Sequence, residues 1–114
     1  MANTKRFTDG LPADVRALIV ALGGNLKLAR RRRRMSIAKM AELVMVSPPT
    51  LRKIESGDPT VSLGATVTAL WVLGLSDGLR SLAAPETDEI GLRADLQRLS
   101  GRGARKRGGD DLDF

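Results

Sequence analysis

MSIAKMAELVMVSPPTLRKIESG, residues 35–57, carries two short helix signatures with almost nothing between them. Ser36 is an N-cap, with Ile37, Met40, Ala41 and Val44 following on one face. Its capping box is incomplete, because Lys39 stands where Glu or Gln would close it. Ser47 is a second N-cap, and Pro48 takes the first helical position, where a missing N–H costs little. Leu51 and Ile54 then face inward, and Gly57 ends the helix as a C′ residue. Only Met45-Val46 separates the two elements, and the small side chain of Ala41 lets them approach closely.

Working outward, helix signals recur and strand signals are nearly absent. Residues 1–10 read as a loose arm. Leu11, Val15, Leu18, Ile19 and Leu22 follow helical spacing, with Pro12 in a first turn. Gly23-Gly24 weakens that pattern by about 1 kcal/mol per glycine relative to Ala. A second stripe, Leu22, Leu26 and Ala29, continues through Arg30–Arg34 to Met35, so residues 12–34 form either one bent helix or two. On the other side, Asp58-Pro59-Thr60 is a loop. Ser62 caps a helix bearing Leu63, Val67, Leu70, Trp71 and Leu73, with Trp71 expected in the core or in a dimer seam. Ser76 is expected to cap a further helix with Leu79 and Leu82, closed by Pro85, and a weaker helix at about 88–99 carries Ile90, Leu92, Leu96 and Leu99. The expectation is an all-α fold of five packed helices with an N-terminal helical extension. Glycines at 101, 103, 108 and 109 predict a flexible C-terminal tail.

Composition prunes the functions. The 114 residues are enough for one compact domain with an arm or tail. Nineteen Lys and Arg against thirteen Asp and Glu give +6. Residues 1–85 hold thirteen of the cations and six of the acids, a net +7, while residues 86–114 hold six and seven, a net −1. A basic field on the first three quarters of the chain points to an acidic partner, most simply nucleic acid. The absence of Cys excludes a disulfide framework, a thiolate zinc site and a cysteine nucleophile; the absence of His excludes serine–histidine triads and imidazole metal sites. No enzymatic function and no cofactor or metal are therefore expected. The longest apolar runs, Ala17–Leu22 and Ala69–Leu73, fall far short of the ~20 residues of a membrane span. Asp14 and Arg16 interrupt any signal-peptide pattern, so a cytoplasmic, nucleoid-associated protein is expected.

Two capped helices joined by so tight a turn have the spacing of a helix-turn-helix, whose second helix lies in the DNA major groove. Residues 22–84 resemble the Xre/Cro-type (lambda-repressor-like) domain. The family pattern is L-S-x-x-x-L-A, then V-S-x-x-x-[IL]-x-x-[IL]-E-x-G, then a helix ending A-L-G-[LV]. The chain supplies Met35-Ser36, Met40-Ala41, Val46-Ser47, Leu51, Ile54-Glu55, Gly57 and Val72-Leu73-Gly74-Leu75. The resemblance implies a motif over 36–55, an extension over 1–21, and a weak helix and tail over 85–114. It also implies a buried ion pair between Arg30 and Glu55. Ser47, Pro48, Pro49, Arg52 and Lys53 stand at its groove-facing positions. Arg52 or Lys53 can donate to guanine or meet phosphate, while the prolines can offer only apolar contact or plain helix initiation. Thr50 and Ser36 are expected to meet phosphate or to cap. Ile37 replaces a Gln common in the family and removes one polar contact. With Arg30 spent on Glu55, the other four arginines raise the potential beside the motif, with Arg31 and Arg34 as phosphate contacts. Met45 replaces the family's turn glycine, so a somewhat different turn is expected.

A narrower resemblance covers about residues 54–107. "IESGDPTVSLG…ALWVLGLSDGLRSLAAPETDEIGL" with a basic, glycine-rich tail is similar to HipB-like antitoxins, the autorepressing partners of HipA-type kinase toxins. It implies a HipA-like toxin partner; a domain that reads one half-site leads separately to an expected homodimer on a palindromic double-stranded operator, and no small-molecule substrate is expected. The tail residues Arg102, Arg105, Lys106, Arg107 and Phe114 would order on that toxin. A free-standing Xre-type or phage-like repressor, and a helix-turn-helix adaptor between proteins, are the alternatives; the basic field argues against the adaptor.

Overall fold

The computed structural model describes residues 7–104. Among them the regular elements are helical: α1 (Ala13–Arg32), α2 (Ile37–Val44), α3 (Pro48–Ser56), α4 (Leu63–Val72) and α5 (Glu89–Ala104), with short 3₁₀ turns at Asp77–Ser81 and Pro85–Thr87; residues 7–9 are helical too, where a loose arm is expected. The chain divides into two compact units, one up to Asp77 and one from Gly78.

In the first unit the core is built from four helices. Leu26 and Ala29 of α1, Met40, Ala41 and Val44 of α2, Leu51 and Ile54 of α3, and Ala69 with the adjoining Leu73 of α4 form one buried cluster. Ser36, Ser47 and Ser62 each accept a backbone N–H three residues on, from Lys39, Thr50 and Ala65. At the other ends, one device recurs four times. Arg34, Met45, Gly57 and Gly74 take positive φ (54°, 67°, 80° and 78°). The residues after them, Met35, Val46, Asp58 and Leu75, donate back to Arg30, Ala41, Lys53 and Leu70 respectively. Each is a Schellman closure that satisfies carbonyls the helix leaves open.

Residues 12–34 resolve into a single helix from Ala13, so the extension and the first core helix are continuous. Gly23 is buried inside it: a Cβ there would lie 2.6 Å from the Ile54 carbonyl oxygen and 2.7 Å from that of Glu55. The contact is reciprocal, since a Cβ on Gly57 would lie 2.5 Å from the Val20 Cα. The backbones of α1 and the end of α3 therefore touch, which only glycine permits. Neighbouring Gly24 faces open space and has no such role.

Three expectations from the sequence are corrected. Trp71 is not core: it is 69% exposed. The inward register of α4 is held by Ala69 and Leu73, four residues apart, and residue 71 falls on the opposite side of the helix. Leu63 is exposed as well, as are Val15, Leu18 and Leu22 along the first half of α1, which runs clear of the core. The helix expected after Ser76 is a 3₁₀ turn, Asp77–Ser81, and Ala83 beyond it takes φ 58°. Gly78 and Pro85 leave too short a segment to propagate an α-helix.

In the second unit, the Asp88 carboxylate accepts the Gly91 N–H at 2.9 Å and starts α5. The helix runs to Ala104, past the end expected near residue 99, and takes in Gly101. Ile90, Leu92, Leu96 and Leu99 are all exposed on it. Arg102 lies in its last turns; Arg105, Lys106, Arg107 and Phe114 lie outside the described residues.

The glycine pair gives opposite expectations for one substitution. Gly24→Ala should stabilise by about 0.5–1 kcal/mol, because it restores helix propensity at no steric cost. Gly23→Ala should destabilise by about 1–3 kcal/mol, because α1 must move off α3. Urea denaturation of the two variants measures both signs.

Candidate nucleic-acid interface

Arg30, in the last turn of α1, makes three side-chain hydrogen bonds. Its Nε donates to Glu55 Oε2 at 2.7 Å and its Nη2 to Oε1 at 3.0 Å, a bidentate pair with both side chains at least nine-tenths buried. Its Nη1 donates to the Met35 carbonyl at 2.8 Å. One guanidinium thus binds α1, the link to α2 and the last turn of α3. Three of the five N–H donors are engaged, two of them on the carboxylate, and such bonding is what lets a buried pair offset its desolvation.

A second arginine of the run is engaged, contrary to the expectation that only Arg30 would be. Arg33 donates through Nη1 to the Ala29 carbonyl at 2.7 Å and through Nη2 to the Leu73 carbonyl at 3.0 Å. The latter oxygen closes the C-terminal end of α4, where a cation also complements the helix dipole. Nothing distinguishes Arg33 from its four arginine neighbours in the sequence, so only its place on the helix reveals it. Arg31, Arg32 and Arg34 are exposed.

The turn between α2 and α3 also differs from expectation. Met45 adopts φ 67°, ψ 42°, the left-handed geometry a glycine would take, so the turn is not altered to suit the side chain. Met45 is 86% exposed, which puts the thioether in solvent and leaves strain of about 1 kcal/mol in the backbone. Val46 returns its N–H to Ala41 at 3.0 Å and sets the angle at which α3 leaves.

With Leu51, Ile54 and Glu55 buried, α3 presents Pro48, Pro49, Arg52 and Lys53 outward. Ser47 Oγ accepts the Thr50 N–H at 3.2 Å and donates to Thr50 Oγ1 at 3.0 Å, so both hydroxyls already serve the cap and Thr50 is half-buried. Ser36 is exposed but likewise occupied with the Lys39 N–H at 3.0 Å. Ile37 is half-buried against the core. Lys39 and Glu42 form an exposed pair at 3.5 Å, worth little. Beyond α3, the Asp58 carboxylate accepts from the Thr60 hydroxyl at 2.6 Å and the Thr60 N–H at 2.8 Å. These bonds, with Lys53 nearby, hold its pKa below the ordinary value. Its contribution to stability is complete above the ordinary aspartate range and is lost as the pH falls through the lowered pKa.

Of the expected site residues, Arg31, Ile37 and Arg52 line one cleft with the Arg30–Glu55 pair, Pro48, Pro49 and Lys53 share α3 with Arg52, and Ser36 and Arg34 are exposed outside that cleft. Among the described residues no group of His, Cys, Asp and Glu is placed to hold a metal ion. No helix there is long and apolar enough to cross a membrane. A family model described as a helix-turn-helix domain matches residues 21–83, more than half of the chain. No curated protein and no solved structure matches.

Removing one partner of the Arg30–Glu55 pair should be costly. Glu55→Ala leaves a buried guanidinium uncompensated and is expected to destabilise by about 3–5 kcal/mol. Arg30→Met combined with Glu55→Leu should recover much of that loss. Thermal melts of the single and double variants check both.

Proposed function

The chain belongs to the helix-turn-helix family of DNA-binding regulators, and from that premise we propose that it is a sequence-specific repressor acting as the antitoxin of a HipA-type kinase toxin and repressing its own operon. The observation that carries the DNA-binding part is the outer side of α3. It is exposed and free of acidic residues, its Arg52 lines one cleft with Arg31 of α1, and it belongs to a region whose net charge is +7 over residues 1–85. In this reading α3 enters the major groove. Pro48 and Pro49 approach apolar base edges such as thymine methyls, and Arg52 and Lys53 donate to guanine or phosphate. Ser36, Ser47 and Thr50, their hydroxyls engaged at the caps, lie at the rim of the contact with the apolar Ile37. A single domain of this size reads one half-site, so a homodimer on a palindromic operator completes the recognition.

The antitoxin part rests on the second unit. The chain from Gly78 exposes Ile90, Leu92, Leu96 and Leu99 along α5, apolar side chains that offer no hydrogen bond to a base or a phosphate. Together with the basic and acidic tail beyond, they make a segment suited to a protein partner, which supports the resemblance to HipB-like antitoxins.

Two measurements test the two parts. Lys53→Ala should cost about 1–3 kcal/mol on the upstream region of the protein's own gene and relax preference for that sequence over others, measured by fluorescence anisotropy. A uniform loss across all sequences would assign Lys53 to phosphate. Co-expression with the product of the neighbouring gene, with only this chain tagged, should recover both proteins, and the neighbour expressed alone should arrest growth. A harmless neighbour that does not co-purify leaves a free-standing repressor.

A further inference from the structure

An open cleft of about 350 Å³ lies where α1 passes α3. Lys27 and Arg31 of α1, Ile37 of α2 and Arg52 of α3 line it, together with the Arg30–Glu55 pair. Lys27 and Arg31 are four residues apart and so share one face of α1. Both are exposed, as is Arg52, and among the described residues none of the three is in an ion pair. Glu55 is the one carboxylate in the lining, and Arg30 occupies both of its oxygens. Three positive charges from two helices therefore converge on a space that contains nothing to balance them. Like charges so placed repel, and an anion seated between them reverses the sign of the interaction.

We propose that Lys27, Arg31 and Arg52 together seat one phosphodiester of the duplex that α3 faces. The inference rests on the DNA-binding reading and divides labour within it. Arg52 is a backbone clamp, and Lys53, which does not line the cleft, is left to meet base edges. Adjacent residues on a helix point about 100° apart, and of the two only Arg52 lines the cleft. A tetrahedral phosphate with two free oxygens suits a guanidinium fork from each helix, with the Lys27 ammonium as a third charge. Lys27 has no place in the helix-turn-helix motif itself, and the crossing of α1 over α3 brings it to the site.

The test is the salt dependence of binding to a fluorescein-labelled mixed-sequence duplex of about 24 bp, long enough for two half-sites. Each neutralised phosphate adds about 0.9 to the slope of log affinity against log salt. One shared phosphate predicts that the triple variant Lys27→Gln/Arg31→Gln/Arg52→Gln loses about 0.9 in total. Its affinity then falls about three- to fourfold less than the wild type's between about 50 and 200 mM salt. Arg52→Gln alone should lose most of that, without changing relative preference among sequences. Three separate contacts would instead lose about 0.9 each, additively, and that result overturns the shared seat. So does an unchanged slope in the triple variant, and so does a loss confined to particular sequences in Arg52→Gln. Inorganic phosphate is the second probe. If micromolar phosphate shifts the Arg52 Nε resonance while the duplex slopes stay fixed, the cleft belongs to a free anion and the proposal falls. The substituted side chains are exposed and keep their stems, so thermal melts should match the wild type. A wild-type chain with no salt-dependent duplex binding would defeat the DNA-binding reading itself, an outcome distinct from all of these.

Discussion

A guanidinium and a carboxylate taken out of water, Arg30 and Glu55, fix where everything else can be. Burying either charge alone would be prohibitive, so the pair forms only when α1 and α3 meet at the register that lets both oxygens be reached. That register leaves Leu51 and Ile54 facing the core and turns Pro48, Pro49, Arg52 and Lys53 outward. The third bond of Arg30, to the Met35 carbonyl, ties the same point to the start of α2. The exposed side of α3 is in this sense the far side of one buried ion pair.

Steric constraint does the rest. Gly23 and Gly57 bring two backbones into contact beside the pair, which shortens the reach between Arg30 and Glu55 and limits sliding of α3 along α1. Four Schellman closures end the core helices abruptly, and their positive-φ residues make the sharp changes of direction that pack short helices around a small core. Where glycine is absent, at Arg34 and Met45, the side chain goes to solvent and the backbone bears the strain. Arg33 adds a separate tie, from α1 to the end of α4.

Much of this was legible in the sequence, for physical reasons that can be named. Ser36, Ser47 and Ser62 announce helix starts because a hydroxyl at that position has a backbone donor to accept. Gly57 and Gly74 announce ends because glycine takes positive φ without cost. Arg30 and Glu55 were paired through a family resemblance, since nothing local in either residue predicts a partner 25 positions away. Trp71 misled because α4 is apolar nearly all round, so periodicity could not choose between the face of Ala69 and that of Trp71. The purpose of Gly23, the tie made by Arg33, and the cleft that brings Lys27 to Arg52 all depend on how two helices cross. Such contacts leave no signature in either helix alone.

A nitrogen–proton correlation NMR titration of the full chain with its upstream duplex tests most directly that α3, locked from behind by a buried pair, is the face that meets DNA. The account predicts shifts at the amides of Ser47, Thr50, Leu51, Arg52 and Lys53 and of residues 31–37. It also predicts an Arg30 Nε–H resonance that is sharp and slow to exchange both with and without DNA. Shifts gathered on residues 78–104 with α3 silent, or an Arg30 Nε–H that exchanges freely with water, would contradict it.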